Sequence, residues 1–457
     1  MLTAKKQIDM LNGPLLSKLL VFSLPIMASG ILQLLYNAAD VIVVGRFAGK
    51  EALAAVGTSS TPTHLFVNIC VGIASGVSII VAQSYGAKNA ERVSQAVHTC
   101  ITLSLIVGVL LTATGIACCG WILRVTDVPD DVYPLAHKYI FIYLLGMPAN
   151  MLYNCAAGAV RATGDTKKPL YILIVSGLVN VVLNIILVKF FYMGVAGVAI
   201  ATIVSQILSA VLIVVVLIKS DDLIRLQISK ITLHIPTVKR ILAIGIPASI
   251  QSTLFTVSNL IINTGVNSFG TVVIAGSAAA SNIEGFAYVA MNSISQTSMT
   301  FAGQNYGAGK FQRISKIYKL CSLIVFVVGV GVGVGMYLLG NTLIGIYNSD
   351  PEVIAAGMVK LTYICLPYVI CGFMEVTSGI LRGIGRVIGP TVITLLGVCA
   401  LRVVWMNTVF KFFGTLDCIY ISYPVSWFIT FVGLTVYFIF ANKKLRRENK
   451  NADNTAS

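Results

Sequence analysis

The sequence predicts an all-α integral membrane protein, with twelve transmembrane helices in two six-helix lobes related by a pseudo-twofold axis along the membrane normal. Three observations carry this reading. Apolar residues make up 57% of the 457 positions and charged residues only 11%, about half the charge of an ordinary soluble domain. The apolar residues fall in runs of roughly 20, long enough to cross a bilayer. The second half of the chain also restates the first. With a mean hydropathy of +0.88, these features exclude a soluble enzyme, a nucleic-acid-binding module and a disordered chain.

A window of about 19 residues places the spans in order. The first, 19–45, lies between Lys18 and Arg46; the second, 53–80, between Glu51 and the polar stretch AQSYGAKNAER. The third, 96–123, runs from Arg92 to Arg124, and the fourth, 133–159, from the Pro129–Asp131 turn to Arg161. Lys168 and Lys189 bracket the fifth, 169–189, and the sixth, 194–218, stops at Lys219. The seventh, 240–267, follows Lys239; the eighth, 272–301, follows Gly270; the ninth, 318–346, follows Lys316. Glu352 and Arg382 flank the tenth, 354–380; the eleventh, 388–411, follows Arg386; the twelfth, 418–441, lies between Asp417 and Lys443.

The loop charges test this map. With the N-terminus in the cytoplasm, cytoplasmic segments receive 24 of the 32 Lys and Arg residues and external segments five, while Lys138, Lys360 and Arg402 fall within or beside spans. Such an asymmetry, alternating from loop to loop, is the positive-inside signature of a multi-pass protein with both termini cytoplasmic. The net charge of +15 is therefore topology, and no nucleic-acid partner is expected. Residues 1–218 form the N-lobe, 219–239 a cytoplasmic linker, 240–441 the C-lobe and 442–457 a solvated cytoplasmic tail whose basic part sits against anionic lipid heads. Lys5, Lys6 and Lys18 precede the first span without a cleavable h-region, so that span is expected to remain in the mature protein. Ten cysteines without a CxxC pair and four scattered histidines suggest no metal site; the thiols read as small hydrophobes.

The repeat is specific. Pro25, Asn37 and Phe47 recur as Pro247, Asn259 and Phe269, an offset of 222. At an offset of 221, AQSYGAKNAER matches AGQNYGAGKFQR and GAVRATGDTKKP matches GILRGIGRVIGP. Six spans per copy is an even number, so both copies enter the membrane from the same side. That is the parallel-repeat arrangement of carriers, in which two lobes enclose a cleft and rock to give alternating access.

Polar residues inside the spans carry the chemistry. Three acids lie well inside: Asp40, Glu284 and Glu375. A carboxylate in hydrocarbon costs about 2.5–3.5 kcal/mol on insertion scales, so it must be protonated, paired or facing water. Asp40 lies 15 residues after Pro25, about 22 Å along a helix, in the outer half of the first span. Tyr36 and Asn37 are its i−4 and i−3 neighbours. Asn180 and Asn184 share one face of the fifth span; Thr202 and Tyr143 reach similar depth. These groups are candidates to close around Asp40 as oxygen ligands or hydrogen-bond partners, or else merely to tie helices together. Glu284 and Glu375 read either as a second ion or cation site or as protonated acids bonded between helices. Pro25, Pro148, Pro247 and Pro367 fall inside spans, where a proline kinks a helix.

The segment LPIMASGILQLLYNAADVIVVGRFAGKEALAAVG (Leu24–Gly57), the AQSYGA and GQNYGA pair, and the RATGDTKKP and RGIGRVIGP pair together resemble the multidrug and toxic compound extrusion (MATE) family, from Leu11 to about Asn442. In its N-lobe acid the chain looks closer to the DinF-like branch. The resemblance implies a V-shaped pair of lobes in a bacterial cytoplasmic membrane. It further implies export of small cationic or amphipathic organic molecules, driven by inward H⁺ or Na⁺. It makes Asp40, Asn180, Asn184, Thr202 and Tyr143 the cation-coupling set and Pro25 the bend. Tyr36, Asn37, Phe255, Asn259, Glu284, Phe286, Tyr288, Met291 and Glu375 are candidate cavity residues. No cofactor is expected beyond the coupling ion, no metal other than Na⁺ at Asp40, and the expected state is a monomer. The chain departs from the family pattern once in each lobe. Asn184 stands where many members carry Asp, which favours H⁺ over Na⁺. A seventh-helix Glu is replaced near Phe255, and Glu375 is about one turn from the family's tenth-helix acid. A flippase for a lipid-linked oligosaccharide is the alternative; it calls for cleft cations, for which only Arg402 and Lys138 are candidates.

Overall fold

The computed structural model describes residues 7–126 and 128–456, and the side chains up to Leu445. Lys5 and Lys6, and the side chains of Arg446, Arg447 and Lys450, lie outside what it describes. Among the described residues there is no strand. Ten helices are long and apolar enough to cross a membrane, and two bent helix pairs complete twelve spans, so the chain is a multi-pass membrane protein.

In the first half the spans are α1 (Leu15–Phe47), α2 (Lys50–Gly86), α3 (Ala90–Val125), the pair α4 (Tyr133–Leu145) and α5 (Met147–Ala162), α6 (Lys167–Ile185) and α7 (Gly194–Ile218). The second half follows with α8 (Ile235–Asn267), α9 (Thr271–Gly307), α10 (Phe311–Leu338) with the short α11 (Gly340–Tyr347), and the pair α12 (Pro351–Ile364) and α13 (Tyr368–Gly383). The eleventh span is divided into α14 (Ile388–Thr394), α15 (Leu401–Asn407) and α16 (Val409–Phe413), and α17 (Leu416–Ala456) is the twelfth. Wide π turns extend α6 over Ile186–Phe190 and α14 over Leu395–Ala400.

All twelve expected spans are present, with three differences of shape. The fourth and tenth are bent by 47° and 48°, because Pro148 and Pro367 cannot supply an amide to the preceding turn. Pro25 and Pro247 sit inside unbroken helices. The tail continues α17 as helix to Ala456, in keeping with the good helix formers Lys, Arg and Glu after Asn442.

The halves match in backbone detail. Gly49 and Gly270, each preceding a long helix, have φ/ψ of 91°/175° and 91°/176°. That left-handed φ is open to glycine at no steric cost.

The chain packs as two compact units. The first comprises Ala28–Ile250 with Gln7 and Ile8, and the second Asp9–Met27 with the chain from Gln251 on. Relative to lobes at 1–218 and 240–441, each helix that opens a repeat is divided between units. Within the second unit, Phe22 of α1 is buried edge-on against Phe301 of α9, ring centres 5.5 Å apart. Within the first, Ser249 of α8 donates to the Ile69 carbonyl at 3.1 Å. The linker also packs on the first unit. Ile224 and Leu226 are buried. The ring of His98 accepts the Gln227 amide at 3.1 Å, while its Nδ1 lies 2.7 Å from the Ser94 carbonyl. One neutral tautomer, with Nδ1 protonated, satisfies both contacts.

Helices approach closely over small residues, as membrane bundles do. Gly158 of α5 lies over Ala74 of α2, and its repeat partner Gly379 of α13 over Ser295 of α9. All ten cysteines are free; eight are buried, Cys399 is partly exposed and Cys118 is exposed. A Cβ added at Gly379 would lie 2.7 Å from the Ser295 carbonyl, whereas at Gly331 nothing lies within 4 Å. Gly379→Ala should therefore cost about 1–3 kcal/mol through overpacking. Thermal unfolding in detergent should show a lowered Tm for Gly379→Ala and an unchanged one for Gly331→Ala.

Candidate functional site

In the first unit, the C-terminal half of α1 lies beside α6. Tyr36 and Asp40 are one helical turn apart on α1; Gly177, Asn180 and Asn184 follow i, i+3, i+7 spacing on α6, which keeps them on one face. The Tyr36 ring occupies the space that a Cβ at Gly177 would need, and its hydroxyl lies 3.5 Å from the Ile174 carbonyl. That packing sets the register that brings Asp40 level with Asn184.

The Asn184 amide donates to the Asp40 carboxylate and also lies 3.3 Å from Asn180 Oδ1. Asn180 Nδ2 in turn points at Thr202 Oγ1 of α7, 3.5 Å away, and the Thr202 hydroxyl donates to the Val198 carbonyl at 2.9 Å. The four residues thus form a chain from α1 through α6 to α7. Asn184 is 0% exposed and Asn180 6%, while Asp40 is half-buried. Asn184 Oδ1 is buried without a hydrogen-bond partner. Tyr143 of α4 is outside this hydrogen-bonded chain. Its ring stacks on Tyr139, centroids 6.1 Å apart. Gln206 lies beside it near Gly146. Asn37 is exposed.

In the second unit the acids are placed differently. Glu284 of α9 forms an ion pair with Lys360 of α12, Nζ to Oε2 3.2 Å. Lys360 is only 4% exposed and also donates to the Ser281 hydroxyl. Glu375 is half-buried on α13, where its own carbonyl accepts from the Ser295 hydroxyl at 2.8 Å. Asn259 accepts from Arg402 Nη1 at 2.9 Å, and Arg402 Nε donates to Ser426 at 3.0 Å. The guanidinium is 1% exposed and lies over the rings of Tyr423 and Phe255, 4.2 and 5.6 Å from their centres. Met291 is fully buried against Gly372, whereas Phe286 and Tyr288 are exposed.

The Lys360–Glu284 pair and the Arg402–Asn259 contact are the features that sequence reasoning missed. The signal available was the placement of Lys360 and Arg402 inside spans, where a charge needs a partner. Glu284 was read without the cation that neutralises it.

The comparisons with known proteins follow this geometry. The MatE family model matches the chain twice, over residues 25–186 and 247–406, the two stretches that open at the repeated prolines. The chain is 27% identical over 441 residues to the probable multidrug resistance protein YoeA of Bacillus subtilis (strain 168), covering 93% of each chain. It is 28% identical over 397 residues to the probable multidrug resistance protein YpnP of the same organism, covering 87% of this chain and 89% of that one. Among solved structures it resembles the crystal structure of MATE in the bent conformation, with a TM-score of 0.90 at 22% identity over 98% of this chain and 99% of that one. Matched twice by the family model, at the spacing of its own internal repeat, the chain belongs to the MatE family of multidrug and toxic compound extrusion transporters.

Proposed function

We propose that this chain is an antiporter that exports amphipathic organic cations across a bacterial cytoplasmic membrane by alternating access. Inward H⁺ or Na⁺ drives it, and Asp40 is the coupling group. The observation that carries the reading is the Asp40–Asn184 contact with its orphaned oxygen. Asn184 gives its amide hydrogen to the half-buried Asp40 carboxylate while its own Oδ1 is buried without a donor, and a buried acceptor without a donor costs about 1–3 kcal/mol. A proton on Asp40 turns one acceptor into a donor. A sodium ion instead draws on the carboxylate and on the oxygens of Asn184, Asn180 and Thr202. A single carboxylate, with Asn184 where many members of the family carry a second acid, favours the proton.

Coupling requires that ion and substrate exclude each other, since a ligand with no differential effect on two states shifts neither. Neutralising Asp40 from outside removes the attraction for a bound organic cation. Releasing the ion inside restores it. Each charge carried inward gains about 2.3 kcal/mol per 100 mV of membrane potential. The curated relatives named above as multidrug resistance proteins support the export reading. A lipid-linked oligosaccharide flippase calls for cations free to meet a pyrophosphate. Of the two candidates for that role, Arg402 is engaged by Asn259, Ser426 and two aromatic rings, and Lys138 is exposed on α4.

Two measurements test this. Vesicles carrying the wild-type protein should export a fluorescent lipophilic cation under an imposed pH or Na⁺ gradient. Asp40→Asn should fall to the rate of empty vesicles, and undiminished coupling in that variant rejects the role of Asp40. Asn184→Asp should make export Na⁺-stimulated, because a second carboxylate strengthens the field at the site; an unchanged ion preference argues that Asn184 does not face the ion.

A further inference from the structure

The beginning of α10 carries four cations, Lys310, Arg313, Lys316 and Lys319, which fall into two pairs by what they touch. Lys310 Nζ donates to the Leu11 carbonyl at 3.0 Å and to Asn12 Oδ1 at 2.9 Å. Arg313 Nη2 donates to the carbonyls of Asn12 and Gly13 at 3.1 and 2.9 Å. These two hold the stretch of chain that leads into α1. Asp9 is occupied within that stretch, its carboxylate accepting from the amides of Leu11 and Asn12 and from the Asn12 side chain at 2.9–3.3 Å. Gly13, at φ +69°, turns the chain into the helix.

Lys316 and Lys319 lie farther along α10, exposed, and neither has an ion-pair partner among the described residues. With Gly13, Leu15, Arg313 and Leu320 they line a cleft of about 430 Å³. No carboxylate lines it. The N-terminal end of α1 opens onto it at Leu15, and that end of a helix carries partial positive charge. Beyond Leu320 the same face of α10 becomes apolar. Leu323 and Val327 continue the spacing from Lys316 through Leu320, and both are exposed, as is Phe326. On α1, Leu16, Leu20 and Leu24 form a parallel exposed ridge. The cleft is thus lined by cations at the end of two exposed apolar strips.

We infer that this recess binds the phosphate headgroup of an anionic phospholipid such as phosphatidylglycerol, with the acyl chains lying along the two strips. The charge complementarity is specific: two unpaired ammonium groups and a helix N-terminus face the phosphate, while the apolar strips account for the tails. Free inorganic phosphate shares the headgroup chemistry and lacks the tails. The site is separate from the Asp40 group and does not depend on the transport reading.

Lipid titration of the detergent-solubilised protein, followed by native mass spectrometry, tests it. Each lysine near an anionic lipid surface contributes about five-fold to affinity. Lys316→Gln/Lys319→Gln should therefore weaken phosphatidylglycerol binding about thirty-fold. Lys316→Arg/Lys319→Arg should keep the wild-type affinity, as should Lys167→Gln/Lys219→Gln, which removes two exposed lysines from the other unit. Phosphatidylcholine should bind the wild type weakly, and inorganic phosphate at the same concentration should not displace phosphatidylglycerol. Equal binding by the wild type and the glutamine pair overturns the proposal. So does equal loss in the Lys167/Lys219 pair, loss in the arginine pair, tight phosphatidylcholine binding, or displacement by phosphate alone.

Discussion

Hydrocarbon offers no partner to a polar group, so every charge carried into the spans must bring its own. This constraint organises the interior of both units. Lys360 and Glu284 meet across α12 and α9; Arg402 is enclosed by an amide, a hydroxyl and two aromatic faces. Asp40 is held by the neutral amide of Asn184 and by no cation among the described residues. It stands apart for that reason.

The repeated scaffold therefore carries unlike chemistry. At the offset of 222, Asp40 corresponds to Ile262, which is fully buried. At the offset of 221, Arg402 corresponds to Val181. The first unit places an acid on its opening helix, and the second places a base on its fifth. The asparagines at positions 37 and 259 follow the same divergence. Asn37 is exposed, whereas Asn259 anchors Arg402.

The spans were legible because length and apolarity are local properties, and the charge alternation between loops checks them independently. The partnership of Asn180, Asn184 and Asp40 was legible because i,i+4 spacing and depth along a helix follow from geometry alone. Other features depended on tertiary contacts that one sequence does not display. Lys360 and Glu284 are far apart in the chain, and each, read alone, looks like a stray charge. Of the prolines within spans, nothing local separates Pro148 and Pro367, which break their helices, from Pro25 and Pro247, which do not. The difference lies in whether neighbouring helices hold the backbone continuous. The division of α1 between units was hidden for the same reason, since the contact of Phe22 with Phe301 joins residues from opposite ends of the sequence.

The bends at Pro148 and Pro367 also bear on ancestry. A feature present in both copies, at matching places and with nearly equal angles, is most simply inherited from a single six-span precursor that existed before the gene doubled. Asp40 and Arg402 have no counterpart in the other copy, so at these positions the two halves have diverged. The bent framework is what the two halves share, and the charges within it are what sets them apart.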